Sequence, residues 1–294
     1  MKVAIYGQYY QNSTEPIIRD IFIFFNKNKV DLYIEADFLK LLYEKEIVKK
    51  EYKTFSSYTD LDSGFDIMIS IGGDGTILRA ATLVRDLGIP ILGINAGRLG
   101  FLASVQRDHI DVFMQYVIDR NFTISPRTLL SLEVVPEIAS VKEINFAMNE
   151  VSVSRKDTTS MITIETWLDG EYLNSYWADG LIISTPTGST GYSLSCGGPI
   201  LTPKAESLVI TPIAPHNLNA RPLVIPDNTE IRLKVSGREE QYLVSLDSRI
   251  ASVKNESELI IRKTPFRINM VEVPGDTFLK TLRAKLLWGE DKRN

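Results

Sequence analysis

Cysteine and histidine are scarce in this chain: Cys196 stands alone, and His109 and His216 are the only imidazoles. A single cysteine excludes an intrachain disulfide and suits a reducing, cytoplasmic compartment. One thiol and two scattered imidazoles cannot assemble a standard zinc site. No G-x-S-x-G elbow accompanies the histidines, so a hydrolase triad has no support. No apolar run approaches the roughly 20 residues that cross a bilayer. The opening MKVAIYGQYY lacks the basic flank and apolar core of a signal peptide and reads as a first strand. Excess basic charge is missing too: 33 basic against 37 acidic residues leave a net charge of −4. That balance argues against nucleic acid as a partner, as the lack of apolar runs argues against a membrane. What remains is an ordinary globular composition, 44% hydrophobic and 24% charged, over 294 residues, enough for two cores. A hard-cation site of carboxylates and substrate phosphates stays open.

Organisation changes near Arg120. Before it, strand patterns at 2–6, 30–34, 66–71 and 89–94 alternate with helical spacing at 15–27, 38–47, 76–87 and 108–119. Such alternation predicts an α/β domain over 1–120, built on a parallel sheet, with 49–63 as a surface loop. From 121 to 275 helical periodicity nearly vanishes, and short apolar runs are separated by turn residues. Asp169-Gly170 between MITIETWL and EYLNSYW is a strong hairpin signal. This segment predicts an all-β, sandwich-like domain. Residues 276–294 return to helix, capped by Asp276, with Phe278, Leu279, Leu282 and Leu286 on one face, and are expected to pack back on the N-terminal domain.

Three motifs carry chemistry. The run Gly72-Gly73-Asp74-Gly75-Thr76 follows a buried strand and precedes a helix. Glycines let the backbone approach phosphate oxygens, and the N–H groups of the helix start favour anions. An aspartate there repels phosphate. It fits a base for a hydroxyl, a ligand for a cation, or an ordinary N-cap. Asn149-Glu150, read by itself, is an outward-facing polar pair on a half-solvated strand. The third motif starts at Asp179-Gly180 and continues as Thr185-Pro186-Thr187-Gly188-Ser189-Thr190-Gly191-Tyr192-Ser193-Leu194-Ser195. Its hydroxyls offer small donors for phosphate and ribose, and Tyr192 offers a ring for stacking on a base.

GGDGT, NE and TPTGST, in this order and at these separations, resemble the NAD kinase family. GGDGT alone is shared with diacylglycerol and sphingosine kinases; the NE pair with TPTGST is more specific. Further likeness runs through Gly93-Ile94-Asn95-Ala96-Gly97-Arg98-Leu99-Gly100-Phe101, Gly197-Gly198-Pro199, the segment from Pro212 to Leu223, and Leu282-Arg283 with Lys285-Leu286 and Trp288, so it spans nearly the whole chain. The resemblance implies ATP-dependent phosphorylation of the 2′-hydroxyl of the adenosine ribose of NAD, giving NADP. It implies that Asp74 activates that hydroxyl and that Asn149 and Glu150 hold the ribose and adenine part of NAD. It also puts Asp179, Thr190, Tyr192 and Ser195 in the dinucleotide pocket, with Phe101 lining it, and favours a homodimer or homotetramer. Two departures stand out. Gly191 replaces the alanine common before the tyrosine, and Asp247-Ser248 replaces an Asp-Gly pair, so that the nucleotide contact the resemblance implies for Asp247 can survive through its carboxylate, while Ser248 is expected to strain any position needing positive φ.

A ribose hydroxyl is a poor nucleophile at neutral pH, and a carboxylate within reach can take its proton. Few basic residues lie in the motifs, so Mg²⁺ or another divalent cation on ATP is expected to carry the charge of the phosphates. A lipid kinase using the same GGDGT would be expected to show a membrane-docking element. A nucleotide sensor would have no need of Asp74.

Overall fold

The computed structural model describes residues 1–8, 14–97, 99–103, 110–157, 160–275 and 277–289. Strands β1 (Lys2–Gly7), β2 (Asp31–Glu35), β3 (Lys53–Phe55), β4 (Ile67–Gly72), β5 (Ile91–Asn95) and β6 (Thr123–Arg127) are interleaved with helices α1 (Thr14–Lys27), α2 (Ala36–Glu44), α3 (Asp74–Val84) and α4 (Ile110–Ile118). Helix α1 turns Ile17, Ile18, Ile21, Phe22 and Phe25 to the interior. Each such side chain stabilises the fold by roughly 1.5–3 kcal/mol relative to exposure. Every residue of β4 is buried, as a central parallel strand covered on both faces requires. The stretch 49–63, expected to be loop, contains β3 and a 3₁₀ turn at Tyr58–Asp60. Three residues of β3 pair with β2 and bury only Phe55, too short a signal for periodicity to reveal.

The middle of the chain forms β7 (Leu130–Val135), a helical turn α5 (Ala139–Lys142), β8 (Phe146–Ala147), β9 (Glu150–Arg155), β10 (Ile162–Leu168), β11 (Glu171–Ala178), β12 (Gly180–Ser184) and a short helix α6 (Tyr192–Ser195). It continues with β13 (Ser207–Ile213), β14 (Leu223–Pro226), β15 (Ile231–Ser236), β16 (Gln241–Leu246), β17 (Arg249–Lys254) and β18 (Glu258–Lys263). Two six-stranded sheets result, in the orders β11-β10-β15-β18-β7-β8 and β14-β13-β12-β9-β16-β17. Alternate residues of both, among them Leu132, Ile164 and Leu233 from one and Val153, Ile183 and Val244 from the other, enclose a single core. Asp169 and Gly170 both take positive φ between β10 and β11, the turn that Asp-Gly foretells.

The chain then forms β19 (Ile268–Glu272) and α7 (Phe278–Leu286). Two compact units emerge, 1–126 with 268–294, and 127–267. The first sheet has the order β3-β2-β1-β4-β5-β19-β6. Both β6 and β19 therefore leave the second domain, to which the sequence assigned them, and pair in the first sheet. A lone strand carries no mark of which sheet it will join. Helix α7 falls in the first unit, where Lys285 Nζ donates to the Leu99 carbonyl at 2.6 Å. Its cap is Thr277, whose hydroxyl accepts from the Lys280 N–H; Asp276, expected in that role, lies outside the described residues, as do Arg98 and the first residues of the helix expected at 108–119. Leu282 is buried, but Leu279, expected on the same face, is exposed.

Candidate active site

In the first sheet β1 leads to β2 on one side, while β4 lies on its other side and leads on to β5. The order of connection reverses between β1 and β4, and ligands of open parallel sheets bind outside the strand ends at that place. GGDGT occupies it. Gly72 takes φ +156, and a Cβ there would overlap the Thr76 side chain, so the fold itself requires this glycine. At Gly73 and Gly75 an added Cβ would meet no protein atom within 4 Å. Neither glycine is demanded by internal packing, and both positions open outward from the turn. Thr76 is buried, and its hydroxyl donates to Gln8 Oε1 at 3.2 Å, tying the turn to the end of β1.

Asp74 is the first residue of α3, behind an N-cap, Gly73, that has no side chain to donate or accept. The ordinary capping role therefore does not apply to Asp74. Its Oδ2 accepts from the Phe101 N–H at 2.8 Å, and its Oδ1 accepts from the N–H groups of Leu102 and Ala103, each at 3.0 Å. A carboxylate has about four lone-pair sites, so these three bonds leave one, on Oδ2, without a partner among the described residues. Gly100 admits this arrangement, because a Cβ there would overlap the Asp74 carboxylate. The Phe101 ring also lies 5.8 Å from Lys285 Nζ of α7.

The second unit presents the other two motifs. Contrary to the outward-facing expectation, Glu150 is buried at the start of β9. The backbone of Met148, Asn149 and Glu150 is fully satisfied. Its three N–H groups donate to the Asp247 carboxylate at 3.0, 2.7 and 3.2 Å. The carbonyl of Met148 accepts from Thr185 Oγ1 at 2.6 Å, that of Asn149 from the Thr185 N–H at 2.9 Å, and that of Glu150 from the Asp247 N–H at 3.0 Å. The side chains are the reverse: Asn149 Oδ1 and Glu150 Oε2 are buried without a partner among the described residues. Orphaned buried polar atoms cost about 1–3 kcal/mol each. Two such atoms stand here on adjacent residues, within a backbone that has no such defect. Burial, and then the charge of Asp247, push the Glu150 carboxyl up to about 8, so it is mostly neutral at pH 7.

The hydroxyl-rich loop divides into two groups. Thr185 and Ser189 are fully buried; Ser189 donates to the Pro186 carbonyl and accepts from the Leu201 N–H. Ser193 pairs with Thr211 at 2.8 Å. Ser189, expected to contact nucleotide, thus spends its hydroxyl inside the fold, and Thr187 is buried as well. Tyr192 and Ser195 are exposed, and Thr190 and Gly191 are half-buried. Burial and then the neighbouring Cys196, Asp179 and Glu150 push the Tyr192 hydroxyl up, which places the NE pair, Asp179 and Tyr192 in one neighbourhood. Asp179 itself pairs with Arg155 at 3.1 Å. Gly188 is required because a Cβ there would overlap the Asn149 carbonyl. At Asp247-Ser248 the positive φ falls on Asp247 (+54), not on Ser248. Aspartate tolerates that conformation, so serine next to it is under no strain of this kind. Sequence reasoning passed over Gly100, Thr185 and Arg249 as working residues. Thr185 and Gly100 lie inside conspicuous motifs, but their partners are distant in sequence.

Together these features define the class of two-domain nucleotide kinases. Residues 20–122 match the family model of the ATP-NAD kinase N-terminal domain, and residues 148–273 match that of the C-terminal domain. The chain belongs to the ATP-NAD kinase family and is an enzyme, an NAD kinase. It is 74% identical over 294 residues to an NAD kinase of Flavobacterium johnsoniae and 44% identical over 295 positions to one of Cytophaga hutchinsonii, with all of both chains covered in each case. Among solved structures, yeast NADH kinase complexed with NADH matches at TM-score 0.87 and 22% identity, covering 98% of this chain and 88% of that one. An NAD kinase from Archaeoglobus fulgidus in complex with ATP matches at TM-score 0.76 and 24% identity, covering 98% and 99%. At these identities the likeness is one of fold. Among the described residues no helix is long and apolar enough to cross a membrane.

Proposed function

We propose that this enzyme transfers the γ-phosphoryl group of ATP to the 2′-hydroxyl of the adenosine ribose of NAD, with Asp74 as the base. The observation that carries the acceptor side is the buried pair of unmet acceptors, Asn149 Oδ1 and Glu150 Oε2. A neutral carboxyl supplies one O–H donor and acceptor oxygens, and the neighbouring amide supplies both kinds of group. That mixture suits a sugar hydroxyl and an adenine edge, which also present both. Thr190, Tyr192, Ser195 and Asp179, all of the same unit, complete this nucleotide neighbourhood.

Phosphoryl transfer asks the protein for positioning and charge neutralisation more than for covalent chemistry. Gly73, Gly75 and the start of α3 offer N–H groups to donor phosphates. Asp74 offers one lone pair to the attacking hydroxyl and takes its proton as the new O–P bond forms and the bond from the γ-phosphorus to the bridging oxygen breaks, releasing ADP. With the free lone pair of Asp74 given to the hydroxyl, Mg²⁺ would be held mainly by the substrate phosphates, as that ion commonly is. When bound it neutralises charge on those phosphates. The lone cysteine supports a cytoplasmic location, and family membership supports a homodimer or homotetramer.

The test is to incubate the purified chain with ATP and Mg²⁺ and with NAD, NADH or diacylglycerol, and to identify the product. NADP bearing the new phosphate on the 2′-oxygen is expected. A phosphorylated lipid, or no phosphorylated dinucleotide, overturns the proposal.

A further inference from the structure

The hairpin turn between β16 and β17 and the first threonine of TPTGST meet on opposite sides of the same three residues. Asp247 takes every N–H of Met148–Glu150 and returns its own N–H to the Glu150 carbonyl. Thr185 supplies both donors to the carbonyls of Met148 and Asn149, and its hydroxyl in turn accepts from the Gly188 N–H at 3.1 Å. Just past the turn, Arg249 donates to the carbonyls of Ile144, at 2.7 Å, and Phe146, and its guanidinium lies 3.9 Å from Asp247 Oδ2. The Asp247 side chain is only 6% exposed, and both its oxygens are engaged by protein donors. A residue so placed has little left to offer a nucleotide.

We infer that Asp247 and Thr185 are positioning residues, a two-sided clamp that fixes the backbone of Asn149 and Glu150 so that their unpartnered side-chain atoms face the ligand. The clamp explains how a segment can carry two unmet acceptors and still hold one conformation. A local backbone with all six polar groups bonded does not relax to satisfy its own side chains. It replaces the direct nucleotide contact that the resemblance implied for Asp247. The inference rests on the NAD-binding role proposed for the Asn149–Glu150 pair.

Asp247→Asn preserves shape and tolerance of positive φ, but turns one acceptor into an NH₂ facing N–H donors. It is expected to raise KM for NAD about tenfold or more, with KM for ATP within about twofold. In an Asn149→Ala, Glu150→Ala background the same change should then alter KM for NAD by less than about twofold, because a clamp has nothing left to position. An equal factor in both backgrounds means that Asp247 acts on NAD directly and overturns the inference, as does an equal rise in both KM values. Should Asp247→Asn not fold, Thr185 decides. Thr185→Val is expected to raise KM for NAD while Thr185→Ser restores it, and equal values for Val and Ser overturn the clamp. Amide exchange reads the clamp apart from activity. Exchange at 148–150 should quicken at least about tenfold in either folded variant, with β10 and β11 unchanged. Unchanged exchange at 148–150 overturns the inference even if NADP is made, while absence of NADP from the parent chain overturns only the functional reading.

Discussion

Glu150 and Asp247 bury two carboxyl groups at one turn of the sandwich, joined by the Glu150 N–H, which donates to Asp247 Oδ1 at 3.2 Å. Their side chains divide the work. Burial pushes the Asp247 carboxyl above the ordinary carboxylate range, but three N–H groups and Arg249 pull against that push. Glu150 has no such help, and burial with the charge of Asp247 raises it to about 8.

That asymmetry gives Glu150 a signature in stability. Between its ordinary value of 4.5 and its folded value of about 8 the native state binds more protons than the unfolded chain. Stability from this group is therefore fully present below about pH 4.5 and is lost as pH rises through 8. Glu150→Gln removes the loss. Calorimetry at several pH values should find the variant more stable than its parent near pH 9, by about 1–3 kcal/mol, the scale for relieving an unsatisfied buried group. The same variant should raise KM for NAD more than KM for ATP, since its amide must present a donor where the carboxyl had an acceptor. A parallel pH dependence of the two proteins would contradict the burial argument.

Gly100 faces Asp74, and a Cβ at that position would overlap the carboxylate. Gly100→Ala is expected to push Asp74 away from the N–H groups of Phe101, Leu102 and Ala103. Displacing a reacting group by about 1 Å costs on the order of 10²-fold in rate. Steady-state kinetics should show that fall in kcat, with NAD affinity changed far less, because the NE pair belongs to the other unit. Wild-type kcat in this variant would contradict the placement of Asp74.

Gly191 has φ −98, so its glycine is not there for a left-handed backbone. A Cβ would lie 3.2 Å from the Gly188 carbonyl oxygen, 3.6 Å from Glu150 Oε2 and 3.7 Å from Asn149 Nδ2. Gly191→Ala should be tolerated after a shift of a few tenths of an ångström, without the gain of an unstrained Gly→Ala change, because ψ −127 lies outside the α and β regions that suit alanine. Its methyl group stands beside both polar side chains of the NE pair, so NAD affinity should change by no more than about threefold. A thermal melt and an NAD titration check both. Loss of both stability and affinity would show that the loop cannot accept even one carbon.

Much of this was legible in the residues. The buried run into Gly72-Gly73 announced the end of a central strand, and the change of period near Arg120 announced a sandwich. What escaped depended on distance in sequence. Nothing near Ser189 says that its hydroxyl will be spent on Pro186 and Leu201, so a donor-rich string overstated the groups free for phosphate. Glu150 looked solvated because a charged residue at a strand start usually is. Its backbone is held by Asp247, which is 97 residues away in the chain. Strands β6 and β19 were placed in the wrong domain because β propensity does not specify a partner sheet.

The most direct measurement of the central claim is turnover of Asp74→Asn, with NAD affinity determined on the same preparation. The amide keeps the side chain's size but cannot accept the proton of the 2′-hydroxyl. The account predicts a fall in kcat on the order of 10²- to 10⁴-fold, with NAD affinity within about threefold of the parent, since Asn149 and Glu150 are untouched. Turnover near that of the parent enzyme would contradict it and remove Asp74 from the role of base.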